Sequence, residues 1–110
     1  MLSQAGLINK VRHVMINTMD ATPDAQNLAV SWDDGTSSTL PAYFLRVEAM
    51  DAFTRRERID TGSVKVSKGI EITGVFPVGG YGVNIHFSDG HDKAIYPFSL
   101  LRDLSDRFDK

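Results

Sequence analysis

Most side chains with reactive chemistry fall in one short stretch: His86, Ser88, Asp89, His91 and Asp92. The third histidine, His13, is far from them in sequence. Two histidines and a carboxylate are the donor types of a non-haem iron triad, which needs all three to converge. His91 and Asp92 are adjacent, so in a strand they point to opposite faces and do not chelate one ion together. His86 and Asp89 straddle an Asp-Gly turn and are able to meet, but the sequence shows no third ligand. His91, His86 and Asp89 are therefore the metal candidates. The opposing expectation is structural: His91 bonds the turn, while His86 pairs with Asp92 or lies near Lys93. Ser88, His86 and Asp89 have the residue types of a nucleophilic triad, without the Gly-x-Ser-x-Gly elbow that would expose the serine. Val78-Gly79-Gly80-Tyr81-Gly82 lacks the Gly-Lys-Ser/Thr ending and following helix of a phosphate loop, so it reads as a β-turn. Asp33-Asp34 reads as a turn former and not as an acid–base couple. No residue is assigned a catalytic role, and no cofactor is implied.

Two arginines sit at equivalent points of a repeated phrase. Residues 32–46 read Trp-Asp-Asp-Gly, five residues, then Pro-Ala-Tyr-Phe-Leu-Arg; residues 87–102 read Phe-Ser-Asp-Gly, six residues, then Pro-Phe-Ser-Leu-Leu-Arg. Arg46 and Arg102 close the two copies. Each is expected to snorkel from its helix or to pair with a nearby carboxylate such as Glu48 or Asp103. The functional alternative is an interaction surface of His91, Tyr81, Tyr96, Arg102 and Arg46 that recognises an acidic partner or ligand.

The elements that must position these residues follow from the same phrase. Asp-Gly is a hairpin signal, because glycine takes positive φ freely and aspartate tolerates it. Leu28, Val30 and Trp32 alternate with small residues before the first Asp-Gly, as do Val83, Ile85 and Phe87 before the second, the period of half-buried strands. Trp32 and Phe87 are expected in the core. Val11 to Met19 is expected as a first strand, with residues 1–10 loosely docked before it. Ile70 to Val75 is expected as a strand ending near Pro77, and Val64 and Val66 as a short one. Pro41 suits a helix start, and Pro97 to Phe108 is the clearest helix, with Leu100, Leu101, Leu104 and Phe108 at helical spacing. Residues 48–63 are charged and unpatterned and read as a connecting loop. Hairpin register stays open: a two-residue loop pairs Ser88 with His91, whereas a three-residue loop with a Gly bulge pairs Phe87 with His91. The fold class is α+β, mainly antiparallel sheet, built from two hairpin-plus-short-helix halves with a C-terminal helix.

Composition sets outer limits. A chain of 110 residues with 42% apolar and 24% charged content makes one globular domain, here residues 1–110 with a core of about 11–106. Twelve basic and fourteen acidic residues give a net charge of −2, and Glu57 and Asp60 dilute the cluster of Arg55, Arg56 and Arg58. That cluster reads as a solvated loop, and nucleic acid is not an expected partner. With no cysteine in the chain, disulfides, thiolate catalysis and Cys-ligated zinc or iron–sulfur centres are excluded. Apolar runs are too short to span a bilayer and no secretory pattern opens the chain, so a cytoplasmic location is expected.

Gly79-Gly80-Tyr81-Gly82-Val83-Asn84-Ile85-His86-Phe87-Ser88-Asp89-Gly90-His91-Asp92, continuing through Ile95-Tyr96-Pro97 to Leu101-Arg102, resembles the gamma-butyrobetaine hydroxylase-like N-terminal domain family. So does Leu28-Ala29-Val30-Ser31-Trp32-Asp33-Asp34-Gly35 leading to Phe44-Leu45-Arg46. The resemblance covers about residues 11–106. It implies an accessory module found as small bacterial proteins, ahead of the catalytic domain of certain dioxygenases, and fused to some iron–sulfur scaffold ATPases. In the dioxygenases three cysteines and a histidine hold zinc. Here His91 matches that histidine, while the cysteine positions fall on Ala49, Asp51 and Thr54. The resemblance therefore implies a non-catalytic module that has lost that zinc site, with an unidentified protein partner handling iron–sulfur clusters or belonging to an iron-dependent oxygenase.

Overall fold

The structure, a computed structural model, describes residues 15–108. The expected residues 1–10 and the part of the first strand before Met15 lie outside them. Strands β1 (Ile16–Ala21), β2 (Asn27–Trp32) and β3 (Ser37–Pro41) form one antiparallel meander. Helices α1 (Ala42–Val47) and α2 (Ala52–Thr61) follow. A second meander of β4 (Ile72–Val78), β5 (Gly82–Phe87) and β6 (Ala94–Pro97) leads into α3 (Phe98–Phe108). The α+β reading with two hairpin-plus-helix halves and a C-terminal helix holds.

Both Asp-Gly hairpins adopt the three-residue loop. Phe87 N–H donates to the His91 carbonyl at 3.0 Å, and Trp32 N–H donates to that of Thr36 at 2.8 Å. Gly90 and Gly35 have φ of 88° and 89°, the left-handed region that a side chain enters only with strain. The bulge turns Trp32 and Phe87 inward, at 1% and 2% exposure. Their burial contributes roughly 2–3 kcal/mol each. The core is shared: Leu28, Val30 and Leu40 from the first sheet meet Val83, Ile85 and Tyr96 from the second, with Leu45, Leu101 and Leu104 from the helices.

Two expectations are corrected. Residues 48–63 are not a loop, because α2 occupies most of them. It escapes an apolar-period search since Thr54 is its only buried residue. Its ends are nevertheless written in the sequence: the Asp51 carboxylate accepts from Thr54 N–H at 3.0 Å, and Gly62 closes the helix at φ 82°. Val64 and Val66 form no strand. There Lys65 N–H donates to the Glu57 carboxylate at 3.0 Å, so that backbone is tied to α2 instead of a sheet. No described helix is long and apolar enough to cross a membrane.

Candidate functional site: a closed polar ring between the halves

Five side chains from three separate segments converge beneath α2. Arg46, near the end of α1, donates from Nε to Asp89 Oδ2 at 3.0 Å and from Nη1 to Thr54 Oγ1 at 2.9 Å. The Thr54 hydroxyl donates to Asp51 Oδ1 at 2.9 Å. His91 Nε2 lies 2.9 Å from the same oxygen, and the His91 backbone N–H donates to Asp89 Oδ1 at 2.9 Å. The circuit Arg46–Thr54–Asp51–His91–Asp89 returns to Arg46 and is closed. Asp51 is acceptor-only as a carboxylate, so Nε2 carries the His91 proton in that contact.

Sequence explains each placement. Asp51 is the N-cap of α2: Oδ2 accepts from the Thr54 amide, and Oδ1 is shared by the Thr54 hydroxyl and His91. Asp89 sits at the hairpin position whose carboxylate caps the N–H two residues on, and its second oxygen faces Arg46. The Asp51 and His91 side chains are 7% and 11% exposed, burial that is costly unless such groups are bonded. They are bonded: no buried side-chain polar atom among the described residues lacks a partner. Burial pushes the Asp51 pKa up, but the hydrogen bonds from His91 and from the Thr54 amide and hydroxyl outweigh it and hold the carboxyl below its ordinary value. Beside the ring, Tyr96 donates its hydroxyl to the Leu45 carbonyl at 2.6 Å. Burial drives that phenol's pKa far upward, so it acts as a fixed donor. Arg58 Nη2 donates to the carbonyls of Val47 and Ala49 at 2.7 and 3.1 Å. The loose end of α1 is thereby satisfied by side chains.

The second arginine makes a mirror contact. Arg102 Nη2 lies 3.2 Å from Asp34 Oδ2, Nη1 donates to Thr36 Oγ1 at 3.1 Å, and the guanidinium stacks over Trp32 at 5.2 Å. Each half thus sends its closing arginine to the Asp-Gly aspartate of the other half. The expected partners Glu48 and Asp103 are not used by these two; Arg107 bonds both of them.

The proposed metal candidates are not brought together. His86 Nε2 is 2.7 Å from Asn84 Oδ1. Asn84 donates its amide to the Asp92 and Ala94 carbonyls at 3.1 and 3.0 Å, so its oxygen is the acceptor and His86 the donor. The His86 ring packs at 4.7 Å from Phe76, while Asp89 faces Arg46. The expected pairing of His86 with the Asp92 side chain is replaced by this route through Asn84. Nor do the five residues of the expected interaction surface share a face: Tyr96 is fully buried, Arg46 is 8% exposed, and Tyr81 stands out at 57%.

The match of residues 19–102 to the family model described as gamma-butyrobetaine hydroxylase-like, N-terminal, decides the relationship. The chain belongs to that family. Its fold is similar to a crystal structure of a protein of unknown function from Acidithiobacillus ferrooxidans, assigned to the DUF971 family. That pair has 30% identity and a TM-score of 0.68 over 83% of this chain and 92% of the other. Two protein solution structures are similar at 28% and 25% identity, with TM-scores of 0.68 and 0.66. Each covers 87% of this chain, which spans 72% and 76% of theirs. Comparison with curated proteins returns no match.

The family resemblance makes zinc a question, and the ring answers it. Ala49 is a buried methyl, Thr54 is a hydroxyl engaged on both sides, and Asp51 and His91 are bonded to each other. A structural zinc needs four donors in tetrahedral array. Among the described residues no three histidine or acidic side chains are grouped to hold a metal ion. The residues present do not fit the ion. The positive charge facing these carboxylates belongs to Arg46.

Proposed function

We propose that this chain is a non-catalytic protein-interaction module. The observation that carries the reading is the closed ring: its titratable side chains bond chiefly to one another and hold α1, α2 and the second hairpin together. A general base or nucleophile needs an atom free to reach substrate; in the ring His91 Nε2 is held by Asp51 and the imidazole is 11% exposed. A surface depression of about 260 Å³ on the outer face of the first sheet is lined by Thr18, Ser31, Ser37, Ser38 and Thr39, with Asp20 its one carboxylate. It brings no acid–base pair together. The partners proposed are those implied by the resemblance, proteins handling iron–sulfur clusters or an iron-dependent oxygenase.

Affinity capture of the full chain from native lysate, read by mass spectrometry, tests this. The expected result is a saturable partner recovered in stoichiometric amount, drawn from those two classes. Recovery of nothing above background would end the reading.

A further inference from the structure

Helix α2 is inside out. With 100° per residue, the side turned to the body carries Thr54, Glu57 and Arg58, and the opposite side carries Ala52, Arg56 and Ile59, flanked by Phe53 and Arg55. Thr54 is 1% exposed, whereas Phe53 and Ile59 are 71% and 77% exposed, with Met50 just ahead of the helix at 51%. None of the helix's apolar side chains belongs to the hydrophobic core or packs against it. Its ties to the body are the ring, Arg58 on the Val47 and Ala49 carbonyls, and Glu57 on Lys65 N–H. A surface helix ordinarily buries its apolar stripe and shows its polar one. α3 does so, with Leu101 and Leu104 buried.

We infer that the outward face of α2, formed by Phe53, Arg55, Arg56 and Ile59 with Met50 at its head, docks into an apolar protein groove rimmed by carboxylates. The inference rests on the interaction-module reading and names its surface. Exposed apolar side chains clustered among polar ones mark a contact site, and a helix laid in a groove is a recurrent form of it. The charge specifies the rim. Arg56 pairs with Asp60 at 3.2 Å, while Arg55 has no carboxylate partner among the described residues. Asp60 lies on the same side as its partner Arg56, so the unpaired Arg55 beside Ile59 is the charge that complements an acidic edge. An anionic bilayer fits less well, because a membrane-surface helix carries a row of basic residues whereas this face has one unpaired arginine, Arg55. A twofold contact with a second copy would set this arginine face against itself.

The test uses the full chain with a benzoylphenylalanine photocrosslinker at position 59, and at position 95 on the second sheet as control. Capture from native lysate is repeated with Phe53→Ser/Ile59→Ser and with Arg55→Glu. Neither variant removes a core contact, and unchanged melting confirms that each is folded. The expected result has three parts: position 59 crosslinks to an acidic segment of the captured partner, position 95 does not, and both variants lose about tenfold or more of it. Undiminished capture by both variants overturns the helix face and leaves the module reading standing. Crosslinking of position 59 to another copy overturns the chosen occupant. So does wild-type binding to phosphatidylcholine–phosphatidylglycerol vesicles that the variants lose. If wild type captures nothing, the module reading fails first and this inference falls with it.

Discussion

Arg46 and Arg102 close equivalent phrases, reach equivalent aspartates and yet sit in different environments. The Arg46 side chain is 9% exposed, and its contact continues through Thr54 and Asp51 to His91. The Arg102 side chain is 30% exposed and its partner Asp34 is 35% exposed. The position held by His91 in one hairpin is held by Thr36 in the other. What separates them is α2, inserted after the first half only, which covers Arg46 and leaves Arg102 more open, while the aspartates Asp89 and Asp34 are about equally exposed at 36% and 35%. The same local grammar therefore yields a buried network on one side and a screened surface pair on the other. Exposed pairs contribute little, whereas removing one member of a buried network strands the rest.

The largest effect follows directly. Arg46→Ala is expected to lose about 2–4 kcal/mol, because the buried Thr54 hydroxyl loses its donor and the ring loses its guanidinium. Arg102→Ala is expected to lose about 1 kcal/mol, mostly its stacking on Trp32. Urea unfolding of the two variants measures both, and equal losses would erase the distinction. Next comes the matched pair at the hairpins. His91→Ala is expected to cost about 1–3 kcal/mol by leaving Asp51 short of a donor, and to speed amide exchange across Ala52–Thr61. Thr36→Ala is expected to cost under about 1 kcal/mol, confined to its own hairpin. Exchange that rises no more in α2 than elsewhere would show that His91 does not latch the helix.

Sequence patterning carried the parts of this fold that rest on apolar period and turn chemistry. Leu28, Val30, Trp32 and Val83, Ile85, Phe87 announced two strands, the paired Asp-Gly announced two hairpins, and Leu101 and Leu104 announced α3. It failed where polar contacts replace apolar ones. α2 shows no inward apolar stripe, so only its caps, Asp51 and Gly62, betray it. The ring was legible in part. Both arginines were singled out, and Asp51, Thr54 and His91 were named together through the family resemblance. Their mutual bonding was not readable, because Arg46 and Asp89 are 43 residues apart and Asp51 and His91 are 40 apart. Neighbouring Glu48 and Asp103 were the natural guess for the arginines, and tertiary geometry overrode it.

Acid sharpens the comparison further. The folded pKa of Asp51 lies below its ordinary 3.8, so at pH values between the two the unfolded chain holds the extra proton. Stability therefore rises with pH through that window, is whole above 3.8, and is lost as pH falls through the folded value. Asp34 is also lowered, chiefly by hydrogen bonds from Thr36, but its side chain is 35% exposed against 7% for Asp51, and solvent screening leaves it the smaller share. Asp51→Asn should flatten the acid limb of stability as pH falls below the ordinary 3.8, measured by urea midpoints, and Asp34→Asn should flatten it less. A reversed order would mean that the exposed clasp, and not the ring, sets acid sensitivity.

The smallest expected effect is the response of the histidines to metal. An ion taking Nε2 of His91 would have to displace the proton it shares with Asp51, and it would face the fixed charge of Arg46. That leaves Nδ1 of each histidine, and among the described residues no group of three histidine or acidic side chains stands ready to hold an ion there. Zinc and ferrous iron at submillimolar concentration should therefore leave the side-chain NMR signals of His91 and His86 in place. Arg46→Met keeps the length of the stem and removes the charge, so it isolates the cause. If His91 shifts with zinc in that variant alone, the guanidinium is what excludes the ion. If it shifts in wild type, the ring is a metal site after all, and its resemblance to the Arg102 clasp is one of sequence only.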